Sequence, residues 1–446
     1  MKLYPYQVEA VQAITTVQRG IIKAPAGAGK TVIAAAAIYR HHLHGLAYKV
    51  LWLANTKEQL DQAQAACVAL NVNLDRITFK CYQAAQSAKG FDLVILDEVH
   101  HVAAPVFRRW LDGYTGPRWG FSATPEREDD LKDDVFELIG PIVHEVPRHE
   151  LVATGKLAKA RVNFVQPNDK DEFLDQIEAE AKQRAKGMSI MGVVGQLMRR
   201  PIAELINRQP ADIRKEIILK TELSGLDIDD EVRELRDRLQ ASPSGMQSLR
   251  KVLTGVADNI ILSRTRWMAA QKYGIYENQK RNRSIIALAS DQTETTLVLV
   301  GKIAHGEELS KMVSGSVVIH STMKKRAETI AALRDGTIKK AFVTSLLEEG
   351  FDCPRAGVLI AASAGRSANK QEQRTGRVLR EWSEKTHGTV YDFWDVQYHM
   401  LYHQARARAK TYFSLGYELK GNPEFVADIV KSIGVKLHSS TGFAKK

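Results

Sequence analysis

At 446 residues the chain can hold two or three domains, each with its own apolar core, so a single small module is excluded. Hydrophobic residues make up 44% and charged residues 26%, and no apolar run nears the roughly 20 residues of a bilayer helix, so no membrane partner is expected. Three scattered cysteines, Cys67, Cys81 and Cys353, leave neither a disulfide framework nor a C-x-x-C zinc pair, and a net charge of +11 suits a polyanionic partner.

The charge is uneven: residues 1–150 sum to about −1, 151–280 to about +4 and 281–446 to about +8. A polyanion is therefore expected against the later part of the chain. The opening, Met1-Lys2-Leu3-Tyr4-Pro5-Tyr6-Gln7, lacks the apolar stretch of a secretory signal, so an intracellular location is expected.

In chain order, short apolar runs rich in β-branched residues fall at 21–24, 50–54, 92–96 and 119–122, each followed by a helical pattern. A second series falls at 296–300, 317–320, 341–344, 358–361 and 389–391. Continuous apolar strands alternating with helices are the mark of parallel sheets covered on both faces. Two α/β domains are predicted, at 1–150 and 283–400. Residues 151–282 read as a linker and helical insertion, with Val232, Leu235 and Leu239 at helical spacing and a turn cluster at Ala241-Ser242-Pro243-Ser244-Gly245. Residues 401–446 read as a helical extension with a basic face of Arg406, Arg408 and Lys410.

The strongest motif is Ala24-Pro25-Ala26-Gly27-Ala28-Gly29-Lys30-Thr31, between an apolar strand and a helical run. Small residues let backbone N–H groups close around phosphate oxygens, and the helix N-terminus adds positive potential. Lys30 is then expected on the β and γ phosphates and Thr31 on Mg²⁺, with Ala24 in place of the pattern's first glycine. Asp97-Glu98-Val99-His100 follows at the carboxyl end of a strand, where ligands of open parallel sheets bind. Asp97 is expected to hold Mg²⁺ and Glu98 to deprotonate the attacking water. In Gln373-Arg374-Thr375-Gly376-Arg377-Val378-Leu379-Arg380, Arg377 and Arg380 share one helical face and can reach a single anion.

Read in order, Gln7, the 27–31 loop, residues 97–100, Ser122-Ala123-Thr124-Pro125, residues 344–352 and 373–380 resemble the successive motifs of superfamily-2 helicases of the DExH type. The resemblance covers the first 165 residues and about 280–400, and not the helical middle. It implies two RecA-like domains with ATP and Mg²⁺ as cofactors. It also implies a set of roles. Gln7 would read adenine, with Tyr4 free to stack on the base, and Gly27 and Gly29 would belong to the cofactor-binding set. His100, Ser122 and Thr124 would couple ATP state to domain movement. Gly350 and Asp352 would touch the nucleotide, and Gln373, Arg377 and Arg380 would approach it from the second domain. Thr56, Lys57, Tyr82, Gln83, His320, Ser321 and Thr344 stand where such proteins meet the phosphate backbone, a contact that carries no base information.

Residues 138–143, Gly155-Lys156-Leu157 and 281–286 further resemble phage branch-migration helicases of the UvsW type and the motor subunits of restriction systems. The expected function is an ATP-dependent DNA helicase or translocase acting on single-stranded, forked or branched DNA in replication, recombination or repair. A double-strand translocase, an RNA helicase and an ATP-switched binding protein stay open as alternatives. His41, His42 and His44 are not read as a metal cluster, since adjacent helical positions diverge. The acidic run 126–134 reads as a solvated helix start. Trp110, Trp119, Trp382 and Trp394 are expected in cores more than on bases, and the middle insertion as either a duplex-gripping element or a connector.

Overall fold

The structure, a computed structural model, describes residues 2–43, 49–85, 87–99, 111, 113–125, 132–155, 157–186, 261–344, 353–363, 365, 372, 374–376 and 387–432. Among the expected site residues, His100, Gly350, Asp352, Gln373, Arg377 and Arg380 lie outside this set. So do residues 187–260 of the middle insertion, 126–131 of the acidic run, His44, Trp110 and Trp382.

Two parallel sheets organise the larger compact unit, Met1–Val165 with Ser284–Trp394 and Gln404–Lys446. The first contains β1 (Arg19–Lys23), β2 (Val50–Ala54), β3 (Ile77–Cys81), β4 (Leu93–Asp97), β5 (Arg118–Ser122) and β6 (Ile142–Glu145), in the order β3-β2-β4-β5-β1-β6. β2 and β4 are buried at every position, which is why they read as unbroken apolar runs. Leu51, Leu53, Val94, Leu96, Val135 and Ile139 form the core on one side of this sheet. Trp119 is buried within it, with its indole N–H donating to the Val17 carbonyl at 3.0 Å.

The second sheet contains β7 (Lys159–Val165), β8 (Thr296–Leu299), β9 (Ser316–Ile319), β10 (Lys340–Val343), β11 (Val358–Ile360), β12 (His387–Phe393) and β13 (Glu418–Lys420). Their order is β13-β7-β12-β11-β8-β10-β9. Two of these strands come from outside the predicted 283–400 stretch. β7 pairs with β12 along its whole length, Lys159 to His387 through Val165 to Phe393, and β13 pairs with β7. β7 alternates Lys159, Arg161 and Asn163 with Ala160, Val162 and Phe164, a period-2 pattern that a search for continuous apolar runs passes over.

The helix His399–Ser414 corrects the expected basic face. Arg408 is fully buried, and its Nε and Nη2 donate to both carboxylate oxygens of Asp392 on β12 at 2.9–3.1 Å. A guanidinium taken out of water needs such a partner, so Arg408 is a core residue that no polyanion can touch. The Tyr412 hydroxyl donates to the same carboxylate at 2.9 Å. Trp394, also buried, packs with Phe164 and Phe425.

The second compact unit is Gln166–Arg283 with Asp395–His403. Its described part includes the helix Leu174–Lys186 and a π-helical turn, Ala270–Tyr276. Fully buried Arg281 donates to Asp395 Oδ1 at 2.9 Å, and Asn278 Nδ2 to Asn168 Oδ1 at 2.9 Å. No helix among the described residues is long and apolar enough to cross a membrane.

Candidate nucleotide site

The phosphate loop leaves β1 and opens the helix Lys30–Leu43. Gly27 and Gly29 have φ of +90° and +76°, a region costly for residues with a Cβ. At Gly29 a Cβ would in addition fall 2.6 Å from Gln7 Nε2. Ala24 needs no such freedom: its N–H donates to the Ser122 carbonyl at 2.9 Å, prolonging the pairing of β1 with β5. That is why the position tolerates alanine where the pattern has glycine. Gln7 is buried, and its Nε2 donates to the Ala28 carbonyl at 3.1 Å while its Oε1 accepts from the Tyr4 N–H at 3.0 Å. The Tyr6 hydroxyl donates to the same Ala28 carbonyl, and the Tyr4 and Tyr6 rings stack at 5.8 Å. The N-terminal helix Pro5–Thr15 thus braces the loop directly.

β4 delivers Asp97 and Glu98 beside it. Lys30 Nζ lies 3.4 Å from Glu98 Oε1 and donates to the Ala24 carbonyl at 3.4 Å. Glu98 has φ of +52°, left-handed backbone that a residue with a Cβ adopts only when its surroundings enforce it. Ser122 Oγ donates to Glu98 Oε2 at 3.4 Å and accepts from the Thr124 N–H at 3.2 Å. Lys30, Glu98, Ser122 and Thr124 are therefore linked, whereas Thr31 is placed one residue past Lys30 in the first turn of the helix. Burial pushes the Asp97 carboxyl up to about 7, and the Glu98 charge adds to this; Lys30 and the Glu98 N–H pull it back. A buried carboxylate so disfavoured as an anion suits a dication, and with the Thr31 hydroxyl it supplies the hard oxygen donors that Mg²⁺ takes.

The expected backbone-contact residues all follow the carboxyl ends of strands. Thr56 caps the helix Lys57–Ala69, with Oγ1 accepting from the Gln59 N–H at 3.3 Å, and exposed Gln83 donates to Asn55 Oδ1 at 3.2 Å. Lys57 is exposed at the start of that helix. His320, Ser321 and Thr344 follow β9 and β10; His320 Nδ1 sits 2.9 Å from Thr322 Oγ1. Tyr82 is a correction. Its ring is 1% exposed and its hydroxyl donates to the Asp97 carbonyl at 2.8 Å, so it anchors β4 from inside and cannot reach a phosphate backbone.

Of the arginine-rich motif, Glu372 and residues 374–376 are described, and they lie against the loop. A Cβ on Gly376 would fall 2.6 Å from the Ala26 Cβ. Burial raises the Glu372 carboxyl, while Arg148, Lys30 and Lys23 hold it down and Glu98 pushes it up. Thr375 and Arg374 are buried. Glu372 and Gly376 therefore lie near Lys30, Glu98 and Ala26, although the two stretches belong to different sheets. Arg148 and Tyr417, which flank that contact, carry no motif. In the sequence, the only hint was an aromatic residue in a short apolar-polar stretch at 417–420.

A glycine-pinned loop on one parallel sheet, and a second parallel sheet whose helix opens against it, define a two-domain P-loop α/β protein. Residues 1–78 match the family model described as type III restriction enzyme, res subunit, and residues 270–381 match the helicase conserved C-terminal domain. The two matched stretches thus correspond to the two domains of superfamily-2 helicases, a family that uses ATP.

Among curated relatives, a DNA 3'-5' translocase XPB2 of Sulfurisphaera tokodaii is 24% identical over 402 residues, covering 85% of this chain and 79% of that protein. A DNA 3'-5' helicase XPB of Kineococcus radiotolerans is 30% identical over 184 residues, 35% of this chain and only 32% of that protein. The solved structure of an ATP-dependent type ISP restriction-modification enzyme, LlaBIII, bound to DNA shares the fold at a TM-score of 0.52 and 14% identity. It covers 93% of this chain and 30% of that one. The two curated relatives are named for XPB and the solved structure for a restriction-modification enzyme, so the expected phage branch-migration likeness finds no support in them.

Proposed function

We propose that this chain is an ATP-driven motor that moves along DNA, with Mg²⁺·ATP held at the carboxyl edge of the first sheet. The observation that carries the reading is the 3.4 Å pairing of Lys30 with Glu98 beside buried Asp97, with Gly376 packed on Ala26 of the same loop. Lys30 is placed to bind the β and γ phosphates, and Glu98, oriented by Ser122, would take a proton from the attacking water. Thr31 and Asp97 would hold Mg²⁺, which supplies charge neutralisation on the phosphate oxygens. Gln7 reads adenine, Gly350 and Asp352 touch the nucleotide, and Gln373, Arg377 and Arg380 stabilise the transferring phosphoryl group from the second domain, a contribution of roughly 10³ to 10⁵ for arginines in this role. His100, Ser122 and Thr124 pass the loss of phosphate contacts to the domains, whose alternating grip through Thr56, Lys57, Gln83, His320, Ser321 and Thr344 becomes movement.

DNA is favoured as the track by the relatives named for DNA, and 3'-5' movement by the same names. Translocation on duplex without strand separation is the second reading, favoured by the relative named a translocase and by the fold shared with a restriction enzyme. Two assays test both: release of a labelled strand from forks with 3' or 5' tails and from four-way junctions, and displacement of a triplex-forming strand. The motor reading expects ATP-dependent signal in at least one, with forks preferring a 3' tail. Hydrolysis with no displacement in either contradicts it and leaves an ATP-switched binding protein.

A further inference from the structure

The contact between the arginine-motif helix and the phosphate loop is held by a set of side chains that no motif describes. Thr375 Oγ1 lies 2.9 Å from the Tyr417 hydroxyl in a buried setting. Thr375 Oγ1 also lies 3.3 Å from the Glu372 carbonyl, and either hydroxyl can donate in the shorter bond. Burial raises the Tyr417 phenol, so its hydroxyl stays protonated. The Arg148 guanidinium sits 4.7 Å over the Tyr417 ring, and the Tyr412 ring stacks on it from its own helix at 5.9 Å and 20°. Arg148 opens the short helix Arg148–Ala153, just after the last strand of the first sheet. Tyr417 thus sits among a residue from the ATP-loop domain, the opening of the arginine motif and the C-terminal segment. Upstream, Arg408 Nη1 donates to the Gly365 carbonyl at 3.3 Å, so the same segment also grips the backbone ahead of the motif.

We infer that Tyr417, clamped by Arg148 and bonded to Thr375, is a positioning residue for hydrolysis: it sets where the arginine-motif helix begins relative to the phosphate loop. The inference rests on the motor reading for its consequence in turnover, and on the contacts above for the position itself. An aromatic ring in contact with a guanidinium and a second ring resists sliding, and a buried hydroxyl bond adds a fixed distance at Thr375. An arginine displaced by about 1 Å from a transferring phosphoryl group can lose on the order of 10²-fold in rate while nucleotide affinity, set by the loop, stays put.

The test is Tyr417→Phe in the full chain, which keeps the ring and both stacking partners and removes only the hydroxyl. Two readouts are taken: amide hydrogen exchange of the peptide spanning residues 372–380, and kcat and KM for DNA-stimulated ATP hydrolysis. The expected result is exchange at least about fivefold faster in that peptide, kcat lower by about tenfold and KM for ATP within about twofold. Arg148→Met moves both readouts the same way. Should Tyr417→Phe lose the fold, Thr375→Val reads the same bond from its other end. Unchanged exchange at 372–380, or a fall in kcat matched by an equal rise in KM, overturns the inference. Faster exchange with no ATP hydrolysis by the wild type keeps the clamp and removes the motor reading; DNA-stimulated hydrolysis with unchanged exchange does the reverse.

Discussion

Glu98 is held in left-handed backbone, paired with Lys30 and touched by Ser122, a set of constraints that an acidic turn in solvent would not need. Strain of this kind costs about 1–3 kcal/mol and persists only where the surrounding structure imposes it. Replacing Glu98 with Gln keeps the shape and removes the base. Glu98→Gln is therefore expected to hydrolyse ATP at least about 10²-fold more slowly while still binding a fluorescent ATP analogue, and Lys30→Ala to lose both. Single-turnover rates with equilibrium binding check this; a wild-type rate in Glu98→Gln removes it from the mechanism. At this scale the sequence was informative for residues whose chemistry is local. The glycines at 27 and 29 and the Asp97-Glu98 pair were legible because loop and strand end demand those residue types in that order. Tyr82 was not, because a tyrosine at a strand end reads alike whether its ring faces solvent or, as here, the core.

Strands made of continuous apolar residues were legible and strands of mixed polarity were not, and the difference is burial. β2 and β4 are covered on both faces and need apolar residues throughout, whereas β3, β6, β7 and β13 mix polar and apolar positions. β7 and β13 also come from stretches that flank the second sheet's sequence-visible part, so no local signal could assign them to it. The helix His399–Ser414 carries the sharpest case. Arg406 and Arg408 look equivalent in sequence, yet Arg406 makes a half-exposed pair with Asp428 at 3.2 Å while Arg408 is sealed against Asp392. Removing one member of a buried pair costs about 3–5 kcal/mol, against about 0–1 for an exposed one. Arg408→Leu should accordingly lower the free energy of urea unfolding by about 3–5 kcal/mol, and Arg406→Leu by under about 1 kcal/mol. Equal losses would show that the Asp392 pair does not carry the second sheet's C-terminal face.

Across the whole molecule, residues separated by hundreds of positions meet at one place. Gly376 lies against Ala26, and Glu372 lies in the field of Lys30, Lys23 and Arg148. An ordered run of motifs announced two domains, and nothing in their spacing announced the residues that hold them in register, since Arg148 and Tyr417 gain their meaning only from the fold. Hydrolysis at the Lys30–Glu98 pair is expected to answer to a nucleic acid bound by both domains. The steady-state ATPase rate of the full chain, without nucleic acid and with single-stranded, duplex, forked and four-way DNA and with RNA, tests this most directly. A low rate alone and a rise of at least about tenfold with DNA are expected, larger than with RNA and abolished in Lys30→Ala. A rate indifferent to every nucleic acid would contradict this expectation.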